Sequence, residues 1–373
     1  MTDTRLDQSP HRRQAGRNRE VAYPPRLTTG PGLFEVIRDR AIIYGDRPCI
    51  RHARRTRLTS FAALSRSVAW WGRWLESQNL ARDDRIAIAI AIADPLNFAT
   101  VFLAIIANGR WATPLDPNAP ARSTLEAIER LRPAIVISDR PAVSAATVRW
   151  LPLDAIYDGP PGADPVTADG GLHGVDSRGG VVLASSGSTG QPKIISLRQD
   201  QLLHTARAIA DHHRLTTADV GFNPLPLFHV NAEVVGLLAS LWAGAELVVD
   251  ERFHRTGFWD LVGEQRVTWI NAVPAMIRRL APLGPSEVIP KTVRFIRSAS
   301  APLPVATLKR FEESTGIVVL ETYGMTESAS QITANPLEGT AQAGLSRATS
   351  GRRAAGRDRS HLRQGRNFRL RWF

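Results

Sequence analysis

A single cysteine, Cys49, leaves the 373-residue chain without an internal disulfide framework, which fits a reducing, cytoplasmic setting. Long apolar runs are missing too. The most apolar stretch, residues 86–93, is stopped at Asp94-Pro95; it is too short to span a bilayer and reads as a buried strand. The first twenty residues are polar and arginine-rich with no apolar core, so they are not read as a secretory signal. No Gly-x-x-x-x-Gly-Lys-Ser/Thr loop occurs, and His212-His213 lack partners at metal-ligand spacing, so neither a Walker-type loop nor a zinc site is expected. Acids are scarce at one end. From 341 to 373, nine arginines face one acid, Asp358, giving 9 − 1 = +8 of the chain's +12. The basicity therefore belongs mainly to a tail, and no specific nucleic-acid partner is expected of the rest.

What is present is ordinary in bulk: 43% hydrophobic and 22% charged residues, with length for two or three folding units. Residues 1–28 are polar and aperiodic and read as a disordered leader. From 29 to 170, short apolar runs alternate with helix-period segments. Ser60 is placed to cap a helix carrying Leu64, Val68, Trp71 and Leu75, with Trp70 and Trp74 beside them as core rather than as a base-stacking surface. Residues 139–180, rich in Pro, Gly and Asp, read as a link. The same rhythm returns from 171 to 340, with a helix over 232–242 ended by Gly244 and another opened by Pro274. The expected fold is α/β, two stacked and mostly parallel α/β subdomains over 29–170 and 171–340, followed by a basic tail over 341–373.

One stretch concentrates chemistry: Ser185-Ser186-Gly187-Ser188-Thr189-Gly190-Gln191-Pro192-Lys193, directly after the strand-like Val181-Val182-Leu183-Ala184. Glycines expose backbone N–H groups, hydroxyls add neutral donors, and lysine adds a mobile charge, which together suit a polyphosphate. The same composition also suits an exposed hairpin turn, and composition alone leaves both open. Three further segments stand out. Tyr323-Gly324-Met325-Thr326-Glu327 follows a predicted strand and offers a ring, a small residue, a hydroxyl and a carboxylate. Ser298-Ala299-Ser300-Ala301-Pro302-Leu303 has small side chains that permit close backbone approach. Pro224-Leu225-Pro226-Leu227-Phe228-His229 ends in a histidine that, on its own, reads as a structural residue.

Taken as whole strings, these segments resemble the motifs of the adenylate-forming superfamily, which includes acyl-CoA synthetases, luciferases and peptide-synthetase adenylation domains. Ser185 to Lys193 fits that family's phosphate loop throughout, and Tyr323 to Glu327 matches its Tyr-Gly-x-Thr-Glu motif. The resemblance implies an ATP-dependent carboxylic acid–CoA ligase acting on a small-molecule acid, with ATP, Mg²⁺ and coenzyme A required. It implies that Ser185, Ser186, Gly187, Ser188, Thr189, Gly190 and Lys193 hold phosphates, and that Ser300, Ala301 and Pro302 lie beside adenine. Tyr323 would pack on adenine, Gly324 would belong to the same nucleotide site, Thr326 would contact the α-phosphate and Glu327 would hold the metal. His229 would wall or gate the acyl pocket, with Phe228, Trp242 and Val273 as further wall candidates. Lys193, Thr326, Glu327 and His229 are the implied catalytic set.

The resemblance runs from Leu33 to Thr340. Ala299 and Ser300 stand where the family often has glycine, and past Thr340 no Tyr-x-[Ser/Arg/Lys]-Gly-Asp motif follows. The ribose-binding aspartate and the small C-terminal domain with its lysine are therefore expected to be missing and activity impaired. A reading-frame shift or an evolved basic arm would each account for the arginine-rich run. A non-catalytic nucleotide-binding protein, and more distantly a nucleic-acid binder acting through the tail, are the alternative readings. Neither the identity of the acid nor the oligomeric state is legible.

Overall fold

Short apolar strands alternating with helices build two mostly parallel sheets. The computed structural model describes residues 31–80, 87–143, 148–156, 178–185, 193–284 and 287–337. The expected leader and tail, and loop residues 186–192, lie outside them.

In chain order the first half supplies α1 (Leu33–Tyr44), β1 (Pro48–His52), β2 (Leu58–Ser60), α2 (Phe61–Ser77), β3 (Ala87–Ala91), α3 (Pro95–Ala107), β4 (Trp111–Pro114) and α4 (Ala121–Leu131). Then come β5 (Ile135–Ser138), β6 (Arg149–Pro152), α5 (Leu153–Ile156), β7 (Gly180–Ser185), β8 (Lys193–Arg198), α6 (Gln199–His212) and β9 (Val220–Asn223). A π-helix (Asn231–Leu238) runs into α7 (Ala239–Ala243), followed by β10 (Glu246–Val249), α8 (Phe258–Glu264), β11 (Trp269–Ala272) and α9 (Pro274–Leu280). The described chain closes with β12 (Phe295–Ser298), α10 (Val305–Thr315), β13 (Val318–Tyr323), a 3-10 turn (Thr326–Ser328) and β14 (Thr333–Ala334).

One sheet has the order β6-β5-β3-β4-β7-β8 and the other β14-β13-β12-β11-β9-β10-β1-β2. Among the described residues, antiparallel pairs occur only at the margins, β7 with β8, β13 with β14 and β1 with β2. The sheets do not divide the chain at 170/171 as the sequence suggested. β1 pairs with β10, and β7 pairs with β4, so each expected half lends two strands to the other's sheet. The reason is local. β1–β2 is a short hairpin that covers the free edge of β10, and β7–β8 does the same for β4.

Local chemistry explains the elements that position the rest. Ser60 Oγ accepts the Ala63 N–H at 3.1 Å, capping α2 as expected. α2 buries Leu64, Val68, Trp71 and Leu75, and Trp71 meets Trp70 and Trp74 edge-on with ring centroids 5.3 and 5.1 Å apart. Asp94 Oδ1 accepts from the Leu96 and Asn97 N–H groups, Pro95 opens α3, and every residue of α3 except Asn97 is buried. That helix is apolar all round because it is buried all round. Its residues, with Ile88 and Ile90 of β3, Phe222 of β9 and Trp269 of β11, belong to one continuous core that crosses both sheets.

Three elements differ from the sequence reading. Residues 149–156, expected within a linker, form β6 and α5, because Trp150 and Leu151 pair with β5. Lys193–Arg198, which carried no element in the sequence reading, is a strand. The helix expected over 232–242 begins one residue earlier and is wound as a π-helix over Asn231–Leu238. Gly236 accommodates it, since a Cβ there would lie 3.1 Å from the Asn223 side chain.

Candidate active site

Parallel strands deliver their C-terminal ends to one edge of a sheet, and in open α/β sheets that edge is where ligands bind. The predicted motifs fall there. β7 ends at Ser185, β9 leads into the segment of His229, β12 into Ser300, Ala301 and Pro302, and β13 ends at Tyr323.

The phosphate-loop candidate is the connection of an antiparallel hairpin, with Ser185 paired directly with Lys193. Its middle, Ser186, Gly187, Ser188, Thr189 and Gly190, lies outside the described residues. The two sequence readings, phosphate cradle and hairpin turn, are thus compatible in topology. Pairing is tight at its base, where a Cβ on Gly180 would sit 2.0 Å from the Leu197 carbonyl oxygen. Lys193 is exposed at the start of β8. Cα atoms of β8 come within 8 Å of those of the 3-10 turn carrying Thr326 and Glu327. Two segments more than a hundred residues apart, on different sheets, therefore meet.

The turn after β13 is held by its own backbone. Ile332 N–H donates to the Tyr323 carbonyl at 2.8 Å, and Ser328 Oγ bridges the Met325 backbone, donating to its carbonyl at 2.8 Å and accepting its N–H at 3.2 Å. Gly324 is required for space rather than for flexibility. A Cβ there would lie 1.3 Å from the Ser330 carbonyl oxygen, and its φ is not in the left-handed region. Tyr323 and Thr326 are half-buried. Glu327 is exposed and makes no ion pair among the described residues, so its carboxylate is free for a cation. No cluster of three or more His, Cys, Asp or Glu forms among the described residues.

Ser300 has φ +72°, the left-handed region that favours glycine. This is the position where the resembled family often has glycine, and the backbone gives the reason. Ser300, Ala301 and Pro302 are exposed, while Leu303 anchors the loop in the core.

His229 closes the Pro226–His229 turn and opens the π-helix, its carbonyl accepting from the N–H groups of Ala232 (2.9 Å) and Glu233 (3.1 Å). Its ring packs on Phe228 with centroids 4.6 Å apart. Part of the residue faces solvent, yet desolvation lowers the ring's pKa below 6.5, opposed by the charge of Asp116, which follows β4 of the other sheet. His229 is thus neutral at pH 7 and lies where the two sheets meet. Val273 caps α9 just past β11, at the same edge. Trp242 lies in the α-helical continuation of the helix begun at Asn231, eleven residues on. There its carbonyl accepts from Arg40 and its ring stacks under Arg207.

The sequence reading missed a buried polar network beneath this edge. Asn271 Nδ2 donates to Asn223 Oδ1 at 2.9 Å, and Arg297 Nη1 donates to Asn271 Oδ1 at 3.0 Å and to Asn231 Oδ1 at 2.7 Å. Arg297 Nε donates to Gln331 Oε1 at 3.3 Å, and Asn231 Nδ2 reaches Ser300 Oγ at 3.4 Å. The one available signal was a lone cation in the apolar run of β12, a position where charge is rarely buried. Also missed was Glu233, fully buried on the π-helix with both carboxylate oxygens unpartnered among the described residues; desolvation raises its pKa well above 4.5.

Comparison with known proteins bears on the family and the fold. A family model described as "AMP-binding enzyme" matches residues 37–356, running past Thr340 where the motif reading stops. The chain is similar to sulfoacetate–CoA ligase of Cupriavidus necator, 39% identical over 158 residues that make up 42% of this chain and 31% of the relative. It is also similar to oxalate–CoA ligase of Arabidopsis thaliana, 31% identical over 67% of this chain and 52% of the relative. The chain thus spans about half, or less, of the length of these curated relatives. In fold it is similar to the crystal structure of the N-terminal domain of FACL13 from Mycobacterium tuberculosis, with TM-score 0.69 at 20% identity over 82% of this chain and 79% of that one. With a match over most of its length and two mostly parallel sheets of the same fold, the chain belongs to the family of AMP-binding enzymes, and its curated relatives are CoA ligases.

Proposed function

We propose that the chain carries the adenylating site of an ATP-dependent carboxylic acid–CoA ligase. The observation that supports it most is the approach of β8, opened by Lys193, to the turn that carries Thr326 and Glu327. In the proposed reaction a substrate carboxylate oxygen attacks the α-phosphorus of ATP. The bond to the bridging oxygen breaks, pyrophosphate leaves and an acyl-adenylate forms. The thiol sulfur of coenzyme A then attacks the acyl carbon, the acyl–oxygen bond to AMP breaks, and the thiol proton passes to solvent.

The obstacle in the first step is charge, since an anion approaches an already anionic phosphate. Lys193, with hydroxyl and N–H donors from Ser185, Ser186, Gly187, Ser188, Thr189 and Gly190, would hold the β- and γ-phosphates. Thr326 would donate to the α-phosphate, and Tyr323 would stack on adenine against the loop of Ser300, Ala301 and Pro302. Glu327 would hold Mg²⁺, which when bound supplies positive charge to the phosphate oxygens. A neutral His229 fits a pocket wall. No general base is needed, because a carboxylate is ionised at neutral pH.

Exchange of labelled pyrophosphate into ATP over a panel of carboxylates tests the reading. Acid-dependent exchange is expected, reduced tenfold or more by Lys193→Ala, as is usual when a charge-stabilising donor is lost. Saturable binding of Mg–ATP without exchange would leave a nucleotide-binding protein that does not catalyse.

A further inference from the structure

Two arginines are buried among the described residues, and they are partnered differently. Arg198, 5% exposed, donates through Nε and Nη2 to the Asp200 carboxylate at 2.9 and 3.0 Å. Arg297, 1% exposed, has no carboxylate partner among the described residues. Its partners are the side-chain amides of Asn231, Asn271 and Gln331, and its Nη2 donates to nothing among the described residues. Three residues earlier on the same segment, Arg294 has its anion in Asp219 Oδ1 at 2.8 Å. Side-chain amides satisfy donors and leave charge uncompensated, and a buried uncompensated charge is costly unless an anion arrives to pair with it.

The guanidinium is tied by hydrogen bonds to the segments of two predicted site motifs. It is one hydrogen bond from Asn231, two residues beyond His229, and through Asn231 one further bond from Ser300 at the strand-end loop. The buried carboxylate nearby in sequence, Glu233, does not serve it, since both Glu233 oxygens are unpartnered. Burial pulls the Arg297 pKa down to about 9, so the group is a cation at neutral pH.

We propose that Arg297 is the specificity determinant for a second anionic group, carboxylate or sulfonate, on the acid substrate, so that this site selects short doubly anionic acids over simple monocarboxylates. The inference rests on the ligase reading above. It agrees with the substrates in the names of two relatives, sulfoacetate and oxalate, both small and doubly anionic. The planar guanidinium can offer Nη2 to such a group while Nε and Nη1 stay tied to the amides.

The test is calorimetric titration of the full chain, first with Mg–ATP, then, with AMP present, with malonate, sulfoacetate, acetate and butyrate. The wild type is expected to bind malonate or sulfoacetate at least tenfold more tightly than acetate or butyrate. Asn231→Asp, which places a carboxylate against the guanidinium, and Arg297→Met should each abolish that ratio while leaving the Kd for Mg–ATP within twofold. Arg297→Lys should retain part of it. Retained Mg–ATP binding reports that each variant is folded, and Asn231→Asp carries the test should Arg297→Met not fold. A wild type without preference, or a preference that survives both variants, overturns the assignment while leaving the nucleotide site standing. Weakened Mg–ATP binding in a folded Asn231→Asp variant would mean that the anion is a nucleotide phosphate, which also overturns it. Failure of the wild type to bind Mg–ATP removes the ligase reading and this inference together.

Discussion

Two buried titratable side chains outside the proposed chemistry set opposite slopes on stability. Glu233 on the π-helix has a raised pKa, so the native state holds a proton that the unfolded chain releases above about pH 4.5. Stability must then fall as pH rises from 4.5 towards the native value. His213 is fully buried, edge-on to Trp269 and Phe295, with His212, Arg294 and Arg297 around it, and desolvation lowers its pKa well below 6.5. Here the unfolded chain binds the extra proton, so the stabilisation is complete above pH 6.5 and is lost as pH falls below it. Each group contributes a slope of up to about 1.4 kcal/mol per pH unit. Urea unfolding at a series of pH values should show Glu233→Gln flattening the decline on the alkaline side and His213→Phe flattening it on the acid side. Unchanged slopes in both variants would contradict the burial described for them.

At the scale of elements, the turn after β13 is the one whose geometry dictates its sequence. Gly324 lies against the Ser330 carbonyl with no room for a methyl group, so Gly324→Ala must open the turn that orients Tyr323, Thr326 and Glu327. We expect a cost of about 2 kcal/mol or more in stability. Mg–ATP binding should weaken more than that loss explains, as measured by titration at a temperature where the variant is folded. This segment was legible because its chemistry is contiguous: five consecutive residues following a strand. So was α2, whose cap and apolar face follow one another at helical spacing. The π-helix was not legible as such, since Asn231–Leu238 is buried on all sides and no polar face fixes its period. Nor was the Arg297 network, whose members come from β9, β11, β12, the π-helix and the stretch after the 3-10 turn. A single arginine in a strand does not announce that its partners are Asn231, Asn271 and Gln331.

For the whole molecule, the interleaving of the sheets makes a prediction that the linear reading would reverse. Two subdomains contiguous in sequence, 29–170 and 171–340, would each own a sheet and unfold separately. In the structure β1–β2 complete the sheet of the second half, β7–β8 complete that of the first, and the buried α3 contributes to a core reaching both. Separating the chain at residue 170 would strip β10 of its neighbour β1 and β4 of its neighbour β7, exposing parallel-strand edges that are otherwise buried. Shared core and shared edges tie the free energies of the two sheets together, so neither has a native state of its own. Urea unfolding of the intact chain, followed by tryptophan fluorescence and far-UV circular dichroism, should give coincident single transitions. Fragments ending and beginning at residue 170 should show no cooperative transition alone, and mixing them should restore it in part. Two resolved transitions in the intact chain, or a fragment that folds unaided, would mean that the crossing strands add little. The edge where β8 and the 3-10 turn approach would then be a contact between independent units rather than a feature of one fold.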